Sequence, residues 1–197
     1  LGRIFVDPGD LVAVTQPTPV MSFPMRMQPA PFRALPVTSA QPAAVWLAAG
    51  DLSAFLPIIL GSMQPKEGQS LLIQTNGEAQ TVLVAGPGKS DKADLGGTGS
   101  AVVRELQTEL FVVKLNILFA ASIGEPLASA RGYGTDFFVG DLVAQADAAL
   151  AATGNPKKLS ATEAAALNAL RVLLQAINAG EVTYFTVLPS PPALATQ

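Results

Sequence analysis

The sequence predicts an α+β fold: a β-sheet or sandwich that carries a C-terminal helical hairpin on one face, with an extended Pro-rich N-terminal arm outside it. Three observations lead there. Residues 110–122 read Leu-Phe-Val-Val-Lys-Leu-Asn-Ile-Leu-Phe-Ala-Ala-Ser; they are apolar on both faces of an extended chain, broken only by Lys114 and Asn116, as in a central strand covered on both sides. Residues 141–153 and 160–179 carry helix start and stop signals. Residues 16–42 hold seven of the sixteen prolines, too many for regular helix or a central strand, because proline removes donors and fixes φ. No open βαβ alternation is visible, so a doubly wound sheet is not expected. A jelly-roll-like sandwich with helical insertions is the specific form considered.

From the beginning of the chain, residues 3–6 and 11–15 read as two short strands around the turn Asp7-Pro8-Gly9-Asp10. In the Pro-rich stretch only Arg26 and Arg33 are charged. Met21, Phe23, Met25 and Met27 alternate there with Ser22, Pro24 and Arg26, which gives an extended segment one apolar face. A disordered linker would be more polar, so the expectation is an arm laid along a surface, either its own domain's or a neighbour's.

Residues 43–60 are the most hydrophobic stretch, with Trp46, Leu47, Phe55, Leu56, Ile58, Ile59 and Leu60. Gly50, Asp51 and Pro57 interrupt it well short of the ~20 apolar residues of a membrane span. Two short helical segments are expected instead, the second capped by Asp51, in a chain that is not an integral membrane protein. The candidate assembly contacts are Met21, Phe23, Met25, Met27 and Phe32 on the arm, with Trp46 and Phe55 in this apolar stretch.

Residues 71–75 and 78–85 flank Asn76-Gly77, a pair that tolerates the positive φ of a type I′ hairpin turn. A glycine-rich loop over residues 86–100 and a helical turn over residues 101–107 then lead into the central strand. Residues 124–134 read as irregular and residues 136–139 as a short strand. Asp141 is placed to cap a helix running to about Thr153, closed by Gly154 with Pro156 beyond. Ser160-Ala161-Thr162-Glu163 has the form of a capping box. The helix it opens sets Leu167, Leu170, Leu174 and Ile177 on one face and ends before Gly180. Residues 182–188, rich in β-branched and aromatic side chains, form the last expected strand, stopped by Pro189, Pro191 and Pro192. The domain plan is an arm region over residues 1–42, one globular domain over 43–188 and a Pro-rich tail over 189–197.

Composition narrows function mainly by what it lacks. The 197 residues are 49% hydrophobic and 14% charged, against a usual charged share of about a quarter, and mean hydropathy is +0.38. So few charges imply surface that faces another subunit, a membrane or a larger assembly. A net charge of −3 provides no basic field for nucleic acid. Without cysteine there are no disulfides, thiolate metal sites or thiol nucleophiles. Without histidine the commonest general base and the commonest transition-metal ligand are also missing.

Partial motifs do not fill the gap. Gly86-Pro87-Gly88-Lys89-Ser90 approximates a phosphate loop, but Leu83 stands where its first glycine belongs. Gly96-Gly97-Thr98-Gly99 follows no strand and has Val102 where a dinucleotide fingerprint has its third glycine. Asp7 with Asp10 and Asp91 with Asp94 fall short of the oxygens Ca²⁺ needs. There is no G-x-S-x-G elbow, and Ser90 or Ser100 beside Lys89, Lys92 or Lys114 is supported by spacing alone. Tyr133, beside Arg131 and between Gly132 and Gly134, is the residue type that anchors a turn. Lys157 and Lys158 stand without interleaved aromatics.

No catalytic residue, cofactor or metal site is therefore expected. The expectation is a non-enzymatic structural subunit of a repetitive homo-oligomeric assembly, such as a virion capsid, tail or sheath, in a virion or extracellular setting. Its partners would be copies of itself and other structural subunits, with no specific nucleic acid and no small-molecule substrate. The alternative is a surface or secreted binding module that uses the loops 86–100 and 124–134. A hydrolase working through carboxylates alone comes third.

Overall fold

The computed structural model describes residues 32–64, 67–84, 101–132 and 136–187. The strands expected at residues 3–6 and 11–15, the arm residues Met21, Phe23, Met25 and Met27, the loop 86–100, Tyr133 and the tail lie outside the described residues.

Strand β1 (Phe32–Pro36) uses the end of the Pro-rich stretch, which therefore lies extended on its own domain. Pro36 is tolerated because β1 is an edge strand. Helix α1 (Ala43–Ala49) stops at Gly50, whose φ is +78°. The second helical segment is reduced to a 3₁₀ turn, Ser53–Phe55. Its N-cap is Leu52 rather than the expected Asp51, whose Oδ1 instead accepts from the Ser53 amide and hydroxyl just before the turn. After the cis peptide bond before Pro57, β2 (Ile58–Leu60) pairs antiparallel with β3 (Leu71–Ile73).

The expected hairpin at Asn76-Gly77 is not formed: helix α2 (Asn76–Val84) begins there. Thr75 Oγ1 accepts from the Glu78 amide, and Glu78 Oε2 accepts from the amides of Gln74 and Thr75. Thr75-Asn-Gly-Glu78 is thus a capping box, and its reciprocal bonds win over the turn preference of Asn-Gly. Asn76 is held elsewhere, accepting from the Leu52 amide and donating to Gly50 O.

The expected central strand is also corrected. Residues 101–122 form one continuous helix, α3 (Ala101–Ser122). An apolar run buried all round has the same composition in either conformation, and its full length of 22 residues belongs to a helix. Lys114 and Asn116 would share one face of a strand. On a helix they stand ~200° apart, and each reaches a different neighbour, as described below. Val103, Leu106, Leu110, Phe111, Val112, Val113 and Leu115 are all fully buried. Helices α1 and α2 and strand β2 pack on α3 from the N-terminal side of the sequence.

Beyond the 3₁₀ turn Leu127–Ser129 and the two-residue strand β4 (Arg131–Gly132), the strand expected at residues 136–139 contracts to one bridge between Phe138 and Arg131. Helix α4 (Val139–Ala152) starts after Phe138, so Asp141 lies in its first turn rather than at its cap. Thr153, not Gly154, closes α4, its amide donating to Ala149 O and Leu150 O. The 3₁₀ turn Pro156–Lys158 connects to α5 (Ala161–Asn178), whose Ser160–Glu163 capping box is present with both reciprocal bonds. Leu167, Leu174 and Ile177 are buried, and α5 ends before Gly180. β5 (Val182–Val187) is the last strand.

The fold is mixed α and β. The helical hairpin of α4 and α5 packs on α3, with α5 making the most extensive contact. The sheets are small: an antiparallel sheet of order β1-β5-β4 and the β2-β3 pair. Among the described residues no sandwich forms: β2 packs on α3, and the β1-β5-β4 sheet meets α5 through β4. No helix there is long and apolar enough to cross a membrane.

Candidate functional site

Where α3 meets α1 and α5, three polar side chains are buried in a row. Asn116 Oδ1 accepts from Trp46 Nε1 at 2.8 Å and from the Gln41 amide at 3.0 Å. Its Nδ2 donates to Gln41 O and to Asn178 Oδ1, both at 2.9 Å. Asn178, the last residue of α5, donates in turn to Glu109 O at 3.1 Å and to Glu109 Oε2 at 2.7 Å. Both amides have every N–H committed. One line of donors thus runs from the Trp46 indole and the Gln41 amide through Asn116 and Asn178 to the Glu109 carboxylate, while the second Asn116 N–H returns to Gln41 O.

Glu109 ends this row at a cavity of about 270 Å³ between α1, α2, α3 and α5. Pro42, Ala43, Ala44, Leu83 and Ala179 supply its apolar lining; Thr108, Glu109, Gln175 and Asn178 supply the polar part. Glu109 is only 8% exposed. Burial pushes its carboxyl above the ordinary value, opposed by the Asn178 hydrogen bond and by Arg171, while Glu105 adds to the rise. Arg171 is itself engaged by Glu105, Asn168 and Gln175. Among the described residues Glu109 is the one carboxylate lining the cavity.

A second polar centre joins β2, α3 and α4. Lys114 Nζ donates to both oxygens of Asp147, at 2.8 and 2.7 Å, and to Ile59 O at 2.5 Å. Asp147 Oδ1 also accepts from the Gly61 amide. Among the described residues the bonds of Lys114 Nζ go to Asp147 and Ile59. Beside it runs an open groove of about 320 Å³, lined by Ile58, Ile59, Lys114, Ile117, Leu118 and Val143.

No protein family, curated protein or solved structure matches the chain. The site therefore rests on its own geometry.

Of the residues singled out in the sequence, Trp46 is buried at 7% exposure and stacks edge-on against Phe55 and Phe119. Both Trp46 and Phe55 are thus engaged within their own domain. Phe32 pairs in register with Val187 through its backbone. Arg131 lies over the Phe138 ring, 5.1 Å from its centroid. Among the described residues no group of three carboxylates could hold a metal ion. Sequence reasoning missed Glu109 and Asn178. The available signal was spacing, since Glu109 and Asn116 are seven residues apart and share a helix face, but it appears only once the run is read as helix.

Proposed function

We propose that the chain is a non-enzymatic structural subunit of a homo-oligomeric assembly of the capsid, tail or sheath kind. The observation that carries this reading is the open apolar groove between β2, α3 and α4, at which Leu118 is left 42% exposed in a chain with 14% charged residues. The occupant we assign is residues 16–31 of a neighbouring copy, which precede β1 and alternate Met21, Phe23, Met25 and Met27 with other residues. An extended segment with that pattern offers one apolar face, and methionine adapts to an irregular groove. Its prolines lower the entropy lost on docking.

Sedimentation velocity tests the reading. The full chain is expected to run as a large, concentration-dependent particle. A chain lacking residues 1–31 keeps β1 and is expected to run as a monomer, as is Leu118→Glu. A full-length chain that stays monomeric at high concentration overturns the proposal in favour of a binding module.

A further inference from the structure

We propose that the cavity ending at Glu109 is a binding site for a small primary ammonium ion with a short aliphatic body. The donor and acceptor inventory of its walls selects this chemistry. Asn178 has spent both N–H groups on Glu109, and its Oδ1 is taken by Asn116. Thr108 Oγ1 donates its proton to Val82 O at 2.9 Å, which leaves its lone pairs free to accept. Glu109 Oε2 receives Asn178, and the carboxylate belongs to the cavity wall. Among the described lining residues the side chains that face Glu109 present acceptors; the donors are Gln175 Nε2, on an exposed residue, and the first amides of α1 at Ala43 and Ala44. A ligand that meets the Glu109 and Thr108 oxygens must bring its own protons, and three N–H donors suit a carboxylate oxygen beside a hydroxyl oxygen.

Charge points the same way. The charges that act on Glu109 are Arg171 and Glu105 on the flanking turns of α5 and α3, and these are paired with each other at 3.5 Å. The described residues of α1 carry no charge, and α2 has only Glu78, at its far end. Shared with Glu105, Arg171 offsets the Glu109 charge only in part inside an apolar cleft, where a cation gains most. The size sets the body: about 270 Å³ lies just below the roughly 300–1,000 Å³ of pockets for drug-sized ligands. Pro42, Ala43, Ala44, Leu83 and Ala179 suit an aliphatic group. The site does not depend on assembly; a monomeric chain would bind equally.

The test titrates the full chain with cyclohexylammonium chloride and with neutral cyclohexanol, followed by calorimetry near neutral pH. The ammonium ion is expected to saturate in the millimolar range or below, and the alcohol to bind at least about tenfold more weakly. Glu109→Gln keeps an acceptor for Asn178 and should weaken ammonium binding at least about tenfold. Ala44→Leu keeps the carboxylate but narrows the cleft, and it should abolish binding even if Glu109→Gln misfolds. Lowering the pH should also weaken binding, since a buried carboxyl with a raised pKa is protonated early. Equal affinity for amine and alcohol, unchanged affinity in either variant, or no saturation by the wild-type chain overturns the proposal.

Discussion

The Asn116 amide joins three separate parts of the chain through Trp46, Gln41 and Asn178. Replacing it with leucine removes the partner of the Trp46 indole and leaves Asn178 Oδ1 buried and unmet. Asn116→Leu is therefore expected to lose about 2–4 kcal/mol, read as a lower urea midpoint at unchanged slope. Glu109 makes a pH prediction. Its folded value is raised by burial above the ordinary 4.5, so the folded state holds the proton more tightly than the unfolded one. The stability this contributes is present at low pH and is lost as pH rises from 4.5 through the folded value. Glu109→Gln removes that decline, so its urea midpoint should gain on the wild type across this window. Glu125 acts in the opposite sense. The Thr38 hydroxyl holds its carboxyl low, and its contribution is lost as pH falls. In the sequence, Asn116 reads only as an interruption in an apolar run; its role depends on partners 62 to 75 residues away, which no local pattern contains.

Helix α5 was legible from its capping box and its single apolar stripe, since both are local signals and its outer face remains in water. Helix α3 was not, because its middle, residues 106–113, is buried on every side and shows no stripe. The start of α2 was legible in principle: Thr75-x-x-Glu78 repeats the form of Ser160-x-x-Glu163, but Asn-Gly offered a competing local preference. Two comparisons between variants test how these elements are joined. Gly68 has φ +59°, and a Cβ there would meet Ala151 O at 2.1 Å, whereas Gly50 at φ +78° has open space around it. Gly50→Ala is expected to cost about 1–2 kcal/mol from backbone strain alone. Gly68→Ala should exceed it, by at least about 1 kcal/mol, in the same denaturation measurement. Lys114→Met leaves the Asp147 carboxylate and Ile59 O without their cation. We expect a loss of about 2 kcal/mol, discounted because the pair is partly exposed. The double variant Lys114→Met/Asp147→Leu should recover part of it.

Closure of the fold depends on distant segments. β1 and β5 pair near opposite ends of the described chain, from Phe32 with Val187 to Pro36 with Thr183, so the end of the Pro-rich stretch belongs to the domain rather than to the arm. The arm of the assembly reading accordingly ends before β1, and removal of residues 1–31 is the informative truncation. The small sheets were legible only in part: β5 reads as a strand from its own composition, whereas β1 sits in proline-rich sequence and exists because β5 pairs with it.

The all-round burial of α3 has a consequence during synthesis. When residues 101–122 leave the ribosome, α1, α2 and β2 are available to cover them, but α4, α5 and the strand that seals β1 are not yet made. For that interval α3, whose middle is buried in the finished fold, is clad on one flank alone. A chaperone at the tunnel exit, or translation of the rest of the chain without a pause, would shield or shorten that exposure.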